Sequence, residues 1–296
     1  MDGVDQAGEK SRIWQAGRFR WDLRERSLVM GILNVTADSF SDGGRFLDIG
    51  AAVAQGKQMV AEGAAIIDVG GESTRPGAEP VAVGVEKSRV VPVIAALRAE
   101  TGCAISVDTM KAEVAAAALE AGADIVNDVS GFRDDAMIDA VAGSGCGLVA
   151  MHMRGTPRTM QQAPVYEEVV GEVRAFFGAT WARLKSAGVA AERVLWDPGI
   201  GFGKTLEHNL SLLGALRDLE VAERSVLIGL SRKSFIGKVT GIEAVERREN
   251  ATTALTAWTR AEGAMVHRVH AVKSQVESLR MTEAVLRKRS YGRLRP

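Results

Sequence analysis

An apolar run that ends in a polar, glycine-ended loop lies at residues 30–44, which read MGILNVTADSFSDGG. The apolar part, from Ser27 to Leu33, does not alternate as a half-exposed strand would, so we predict a short strand buried on both faces. The loop that follows offers polar side chains and glycines at the strand's carboxyl end. The same order of buried strand, polar residue and helix then repeats along the chain and decides the fold.

The repeat comprises eight apolar runs, and helical patterns separate most of them. The predicted strands are Leu28–Leu33, Ala65–Val69, Ala104–Val107, Ile125–Val129, Gly147–Met151, Val194–Trp196, Val226–Leu230 and Met265–Val269. Alternating strands and helices predict parallel pairing with right-handed crossovers. Eight units favour an α/β fold of the closed (β/α)₈ or TIM-barrel type. The alternative is an open doubly wound sheet, but its usual glycine-rich turn is missing from Asn34-Val35-Thr36.

The helical patterns have the lengths expected of barrel helices. They cover Ala51–Ala61, Val85–Ala99, Lys111–Glu120, Ala136–Ala142, Val165–Lys185, Leu206–Leu219, Asn250–Ala261 and Ser274–Lys288. Residues 14–23 alternate apolar and polar about Ala16-Gly17, which predicts a β-hairpin that closes one end of the barrel. We therefore divide the chain into an N-terminal extension with the hairpin (1–26), a barrel domain (27–286) and a basic C-terminal tail (287–296).

The composition limits the classes of function. Lys+Arg and Asp+Glu both number 37, so the net charge is +0 and no global field favours binding to nucleic acid or an anionic membrane. No apolar run approaches a membrane span, and the polar start lacks a signal-peptide pattern, so we expect a cytoplasmic protein. Cys103 and Cys146 form no zinc pattern and are expected to pack in the core.

The residues that close the apolar runs predict the position of the active site, because sites in such barrels form at the carboxyl ends of the strands. In chain order these residues are Asn34, Asp68, Asp108, Asn127 with Asp128, His152, Asp197, Ser231 and His270. Any one of them could instead cap the following helix. Eight polar strand ends in succession favour a site.

Positive charge follows the last two strands. Alternation places Ser231 and Lys233 on one side of their segment and Arg232 on the other, and Arg268 shares a face with His270. His267 is out of phase with His270, which argues against a metal site with two histidines. The loops after strands seven and eight are frequent phosphate sites in these barrels, so Arg268 and His270 indicate a phosphorylated substrate.

Two glycine-rich loops complete the pattern. Residues 197–205, DPGIGFGKT, resemble the end of a P-loop, but Pro198 stands where the first glycine is required. There the glycines favour close approach of a flat ring to the backbone. Residues 70–77, GGESTRPG, add Arg75 as a further anion contact. Together, Asp68, Asp108, Asn127 and Asp197 suit a ring rich in N–H donors, which predicts an enzyme that transfers a group from a phosphorylated, nitrogen-rich heterocycle.

These motifs also resemble those of the dihydropteroate synthases, in order from about Arg18 to Met281. They are 34–44 NVTADSFSDGG, 68–78 DVGGESTRPGA, 106–109 SVDT, 127–128 ND, 151–161 MHMRGTPRTMQ, 197–204 DPGIGFGK, 231–235 SRKSF and 268–270 RVH. The resemblance implies a homodimeric TIM-barrel transferase of folate biosynthesis. It condenses 6-hydroxymethyl-7,8-dihydropterin pyrophosphate with p-aminobenzoate, giving 7,8-dihydropteroate and pyrophosphate.

The resemblance also implies roles for individual residues. The pterin would be held by Asp108, Asn127, Asp197 and Lys233 and lined by Met151, Phe202 and Gly229, with Asp68 also facing the substrate. The pyrophosphate would face Asn34, Arg75, Arg268 and His270, with Asn34 as a ligand of Mg²⁺. The p-aminobenzoate, and competing sulfonamides, would border Phe40, Thr74, Pro76 and Ser231. The catalytic groups would be Asp108, Lys233, Arg268 and His270.

The chain departs from the family pattern at Ala37, where proline is usual, and at Ala271, where aspartate is common. Neither change removes an implied contact. Two alternatives remain open: a pterin-barrel methyltransferase, which would not need the pyrophosphate ligands, and a catalytically silent paralogue that binds pterin or only dimerises.

Overall fold

Eight parallel strands form a closed barrel in the computed structural model, which describes residues 12–36 and 49–292, with side chains as far as residue 288. The strands of the barrel are β3 (Leu28–Asn34), β4 (Ile66–Gly70), β5 (Ala104–Asp108), β6 (Ile125–Asp128), β7 (Gly147–Met151), β8 (Val194–Asp197), β9 (Val226–Gly229) and β10 (Ala264–Val269). Each strand pairs with its neighbours in sequence, and β10 closes the barrel on β3. The predicted TIM barrel is confirmed, and the open doubly wound sheet is excluded.

The helices cover the outside of the barrel. They are α1 (Ile49–Ala61), α2 (Val83–Glu100), α3 (Ala112–Glu120), α4 (Asp135–Ala142), α5 (Val169–Ser186), α6 (Leu206–Gly214), α7 (Ser234–Thr240), α8 (Glu249–Ala261) and α9 (Val272–Gly292). Outward side chains of the strands pack with the helices in one large core, which includes Val69, Val107 and Trp196. Because both faces of each strand are buried, the strands read as continuous apolar runs in the sequence.

Beyond shifts of one to four residues at several ends, such as the start of α5 at Val169, the helices differ from the predicted ones in three places. The pattern at residues 206–219 is divided, because α6 ends at Gly214 and a separate 3₁₀ turn spans Leu216–Leu219. The short helix α7 was not predicted, since its seven residues are too few to show a periodic pattern. Helix α9 runs on to Gly292, so the basic segment predicted as a tail from residue 287 continues the helix in its first part.

A two-stranded antiparallel hairpin closes the amino-terminal end of the barrel. It consists of β1 (Ile13–Ala16) and β2 (Phe19–Asp22), joined at Gly17 and Arg18. The Trp14 and Ala16 side chains pack against residues at or near the strand starts, among them Leu28 and Ile66. Gly147, the first residue of β7, permits this contact, because a Cβ there would lie 2.6 Å from that of Ala16. The hairpin thus closes one end, as predicted.

The two cysteines are free thiols. As predicted, both pack in the core: Cys146 is buried within it, and Cys103 is partly buried and packs against it. Among the helices that the structure describes, none combines the length and the apolar character that crossing a membrane would require.

Candidate active site

The inward-facing residues at the carboxyl ends of the strands meet at one mouth of the barrel. Strand pairing aligns Gly70 with Asp108, and Asp108 with Asn127. It likewise aligns Met151 with Asp197 on the other side of the barrel. Because side chains alternate along each strand, these alignments place carboxylates and an amide in one inward layer.

An arginine joins Asp108 of this layer to Asp68, which lies two residues before Gly70 on β4. Arg268 Nε donates to Asp68 Oδ2 at 2.6 Å, and its Nη2 donates to Asp108 Oδ2 at 2.7 Å. Asn127 Nδ2 donates to the same Asp68 oxygen at 3.1 Å. The other oxygen of each carboxylate, Oδ1, is buried without a hydrogen-bond partner among the described residues. Within the described part of the chain, the centre of the mouth thus holds two acceptors that are free to take donors from a ligand.

Burial and charge set the ionisation of this group. Burial raises the pKa of Asp108 to about 7, with a further upward contribution from Asp68, although Arg268 pulls it down. Burial alone would lower the pKa of Arg268, but Asp68 and Asp108 raise it above its usual value, so the guanidinium stays charged. Near pH 7 the Asp108 carboxyl thus passes between its neutral and charged forms.

Lys233 lies against the loop that follows β8. Its ammonium donates to the carbonyl of Ile200 and lies 4.3 Å from the centre of the Phe202 ring, a cation–π distance. Burial lowers the pKa of Lys233 to about 8, opposed by the charge of Asp197. Burial also raises the pKa of Asp197, whose Oδ1 accepts the Gly199 N–H at 2.7 Å. This side of the mouth combines a cation, a carboxylate and an aromatic ring.

A cluster of methionines gives the mouth an apolar side. Met151, Met153 and Met160 are buried together with Val129, and Phe202 packs against them. Met153 and Met160 were not predicted as site residues, because they lie in the loop after β7 rather than at a strand end. Methionine adapts its shape to a flat ring, so this cluster suits an aromatic heterocycle.

His270 is held by Ser231 rather than by an acid. Its Nδ1 lies 3.0 Å from Ser231 Oγ, which also accepts the backbone N–H of His270 at 3.3 Å. Burial lowers the pKa of His270 to about 4, and Arg268, Arg232 and Arg75 lower it further. The histidine is therefore neutral at pH 7 and offers an N–H donor instead of the cationic group predicted from the sequence. Since the charge of Arg75 contributes to this lowering of the His270 pKa, Arg75 lies close enough to the mouth to act on it electrostatically.

The loop after β4 carries Thr74, Arg75 and Pro76, of which Thr74 is half-buried and the other two are exposed. Below the loop, Lys111 forms ion pairs with Glu72, at 2.6 Å, and with the fully buried Glu86. Glu72 also accepts the backbone N–H of Val81 at 2.8 Å. Sequence reasoning missed Lys111 and Glu86, since nothing in their local pattern indicates that α2, β4 and β5 bring them together.

The remaining predicted residues have mixed positions. Asn34 ends β3, half-buried and in register with Gly70, and Gly229 pairs with Arg268 beside the mouth. Phe40 and the departure at Ala37 lie outside the described residues, as does the rest of the first loop.

Two members of the predicted ring of strand ends do not join the site. The Asp128 carboxylate accepts the N–H groups of Ser130 and Phe132, each at 2.7 Å, and so shapes its own loop, whereas Asp134 caps the following helix α4. His152 is buried against Phe176, with ring centroids 5.0 Å apart. Asp128 ends β6 and His152 directly follows β7, each on the side turned away from the inward layer.

A family described as pterin binding enzyme matches residues 30–270, from within β3 to the residue after β10. The match covers all eight strands of the barrel, including those that carry the acidic mouth. Fold and site therefore define a pterin-binding enzyme.

Named relatives narrow this class. A dihydropteroate synthase from Synechocystis is 45% identical over 97% of this chain and 100% of its own. The Yersinia pestis dihydropteroate synthase, solved with a sulfonamide drug, has a TM-score of 0.87 at 40% identity, over 92% of this chain and 98% of that one. The Burkholderia cenocepacia enzyme, solved with 7,8-dihydropteroate, has a TM-score of 0.85 at 42% identity, over 97% and 100%. The chain belongs to the dihydropteroate synthase family, which consists of transferases.

Proposed function

We propose that the protein condenses 6-hydroxymethyl-7,8-dihydropterin pyrophosphate with p-aminobenzoate to give 7,8-dihydropteroate and pyrophosphate. The observation that carries this proposal is a pair of buried oxygens at the centre of the mouth, Asp68 Oδ1 and Asp108 Oδ1, to which none of the described residues donates. A buried acceptor without a partner is costly, and the N–H groups of a pterin would satisfy both. The dihydropteroate bound to the Burkholderia relative contains such a ring.

The ring would lie between polar edges and the apolar side. Asp68, Asp108, Asn127 and Asp197 would face its nitrogen-bearing edge, while Lys233 would donate to a ring oxygen or nitrogen. The cluster of Met151, Met153 and Met160 with Phe202 would cover one face. A large apolar surface with a few placed polar groups is the usual composition of a small-molecule site.

The pyrophosphate would face the donors beside this pocket. Arg268 uses its Nε and one N–H of Nη2 for the carboxylates, and a guanidinium carries five N–H donors, so others remain for an anion. His270 would add a neutral N–H, and Arg75 would close over the anion from its exposed loop. The anion would in turn stabilise the protonated form of His270.

In the reaction, the bond between the pterin methylene and the pyrophosphate oxygen would break first, and the electron pair would leave with the pyrophosphate. Positive charge would develop on the methylene next to the Asp108 carboxylate, while Arg268 and His270 stabilise the departing anion. The arylamine nitrogen would then form the new bond to the methylene and release a proton. An arylamine is weakly basic and keeps its lone pair at neutral pH, so no strong general base is required.

Mg²⁺ fits the residues present. The amide oxygen of Asn34 is a hard ligand at a half-buried strand end, and Mg²⁺ is often held by one protein group together with substrate phosphates and waters. The described residues contain no cluster of three or more acidic, histidine or cysteine ligands, so the substrate would complete the coordination. When bound, the ion would neutralise charge on the leaving group.

The p-aminobenzoate would enter beside Thr74, Pro76 and Ser231, and sulfonamides would compete there, as a sulfonamide drug does bind the Yersinia relative. We also propose a homodimer, because Trp258, Met281 and Val285 are exposed on the two neighbouring helices α8 and α9. The free thiols of Cys103 and Cys146 support a reducing compartment, the cytoplasm.

The test is incubation of the purified protein with the pterin pyrophosphate, Mg²⁺ and labelled p-aminobenzoate. Labelled dihydropteroate and one equivalent of pyrophosphate are expected. A second incubation with 6-hydroxymethyl-dihydropterin, which lacks the leaving group, is the control and should give no product. If the complete mixture gives none either, while the pterin still binds, the protein is a silent paralogue and the proposal is wrong.

A further inference from the structure

Side chains donate hydrogen bonds to most of the backbone carbonyls in the loop after β8. It spans residues 198–205 and includes three glycines with positive φ angles, Gly199 at 64°, Gly201 at 83° and Gly203 at 62°. A Cβ on Gly199 would overlap the carbonyl of His152, so only glycine lets this loop press against the loop after β7.

Each carbonyl from residue 199 to residue 203 accepts a hydrogen bond from a side chain. Gln161 Nε2 donates to Gly201 at 2.7 Å, and the Tyr166 hydroxyl donates to Gly203 at 2.8 Å. Lys233 donates to Ile200 from the side of the mouth. The remaining two carbonyls, of residues 199 and 202, accept from a single side chain.

That side chain is Lys204, which is 3% exposed. Its Nζ lies 3.1 Å from the Gly199 carbonyl, 3.0 Å from the Phe202 carbonyl and 3.3 Å from the His152 carbonyl. It also lies 3.0 Å from His152 Nδ1. This is the lysine of the segment that resembles a P-loop, yet its amine points into the protein, where it joins the loops after β7 and β8.

We propose that Lys204 is a positioning residue for pterin binding, because it fixes the backbone that presents Phe202 and the Ile200 carbonyl to Lys233. Phe202 is part of the apolar side of the mouth, and Ile200 is the backbone partner of the Lys233 ammonium. The Lys204 amine itself is buried among His152 and the Gly199 and Phe202 carbonyls, so it would act on the pterin only through the loop. Its removal frees two loop carbonyls at once and lets both Phe202 and Lys233 shift.

The inference rests on the pterin pocket proposed above and predicts a selective defect. Lys204→Met keeps most of the length of the unbranched side chain and removes its donors. We expect the KM for the pterin pyrophosphate to rise on the order of tenfold to a hundredfold, as small misplacements of binding groups do. The KM for p-aminobenzoate should stay within about twofold, because its pocket is formed by other loops. Lys238→Met, at an exposed lysine of α7, is the matched control and should match the wild type.

A binding measurement separates this inference from the proposed function. Fluorescence titration with 6-hydroxymethylpterin needs no turnover and should show the same selective loss in Lys204→Met. If Lys204→Met does not fold, Gln161→Ala provides a milder test of the same loop. It removes one exposed side chain that donates a hydrogen bond to the Gly201 carbonyl, and it should weaken pterin binding by a few-fold. The inference would be overturned if a folded variant bound pterin as tightly as the wild type, or if it lost affinity equally for both substrates. In either case, product formation by the wild type would still support the proposed function. Absence of pterin binding in the wild type would instead overturn the function.

Discussion

At the scale of single residues, the mouth places groups of opposite charge close enough to shift one another's pKa values. Asp108 and Lys233 have pKa values moved toward neutrality by burial, to about 7 and about 8, while Arg268 stays charged. Groups with such shifts are typical of active sites. The sequence supplies the residue types, but their ionisation follows from burial and contacts that only the folded chain shows.

The pH dependence of activity follows from these two values. The Asp108 carboxylate accepts ring N–H groups more strongly when ionised, and only then stabilises positive charge on the methylene, so kcat/KM for the pterin pyrophosphate should rise as pH passes through about 7. Lys233 loses its charge as pH passes through about 8, so the same parameter should fall again. A bell-shaped profile from initial rates at saturating p-aminobenzoate is the expected result.

Variants at Lys233 assign the alkaline limb. Lys233→Ala should lose roughly a hundredfold to a thousandfold in kcat/KM, since one positioned charge is removed. Lys233→Arg keeps a charge at every accessible pH, so its residual activity should not fall above pH 8. An unchanged alkaline limb in Lys233→Arg would assign that limb to a different group.

Arg268→Ala should affect both activity and stability, because this arginine is the cation partner of two buried carboxylates. Without it, ionising Asp108 in the folded state becomes more costly, and unfolding relieves that cost. The loss in the free energy of unfolding should therefore be larger at pH 8 than at pH 5. Urea denaturation at the two pH values measures it, and a loss that does not depend on pH would show that the ion pairs contribute little.

At the scale of elements, the strands were predictable and the loops were not. Each predicted strand agrees with the observed one to within one residue at either end, as Leu28–Leu33 and the observed Leu28–Asn34 illustrate, because burial on both faces leaves a continuous apolar run. Lys204 shows the limit of sequence patterns. The sequence excluded a P-loop at this motif because of Pro198, but it did not reveal that the lysine amine points inward, since no local pattern encodes the carbonyls that receive it.

The loop after β4 depends on a buried ion pair between elements. Lys111→Met would leave Glu86, which is fully buried, without its cation. Removing one partner of a buried pair typically costs about 3 to 5 kcal/mol, so the free energy of unfolding should fall by roughly that amount.

The double variant Lys111→Met with Glu86→Gln tests this explanation. Replacing the carboxylate by a neutral amide removes the uncompensated charge, so part of the lost stability should return. Chemical denaturation of the wild type, both single variants and the double variant gives the coupling energy. A coupling near zero would show that Lys111 stabilises the protein through Glu72 alone.

At the scale of the whole molecule, the proposed dimer interface is formed by the neighbouring helices α8 and α9. Trp258→Glu introduces a charge at a side chain that is 53% exposed on α8. If α8 and α9 form the interface, the variant should be monomeric in sedimentation at micromolar concentration, while the wild type is a dimer. Val85→Glu on α2, which is 43% exposed, is the control and should leave the mass unchanged.

The closed end of the barrel has a practical consequence for experiments on this chain. The β1–β2 hairpin closes the end opposite the mouth. Arg12 lies beside the hairpin, and its carbonyl accepts a hydrogen bond from the Leu23 N–H. A linker that replaces residues 1–11 would therefore leave from the sealed side. Capture of the protein on a sensor surface through such a linker should orient the open side toward the flowing solution, with substrate entry unobstructed.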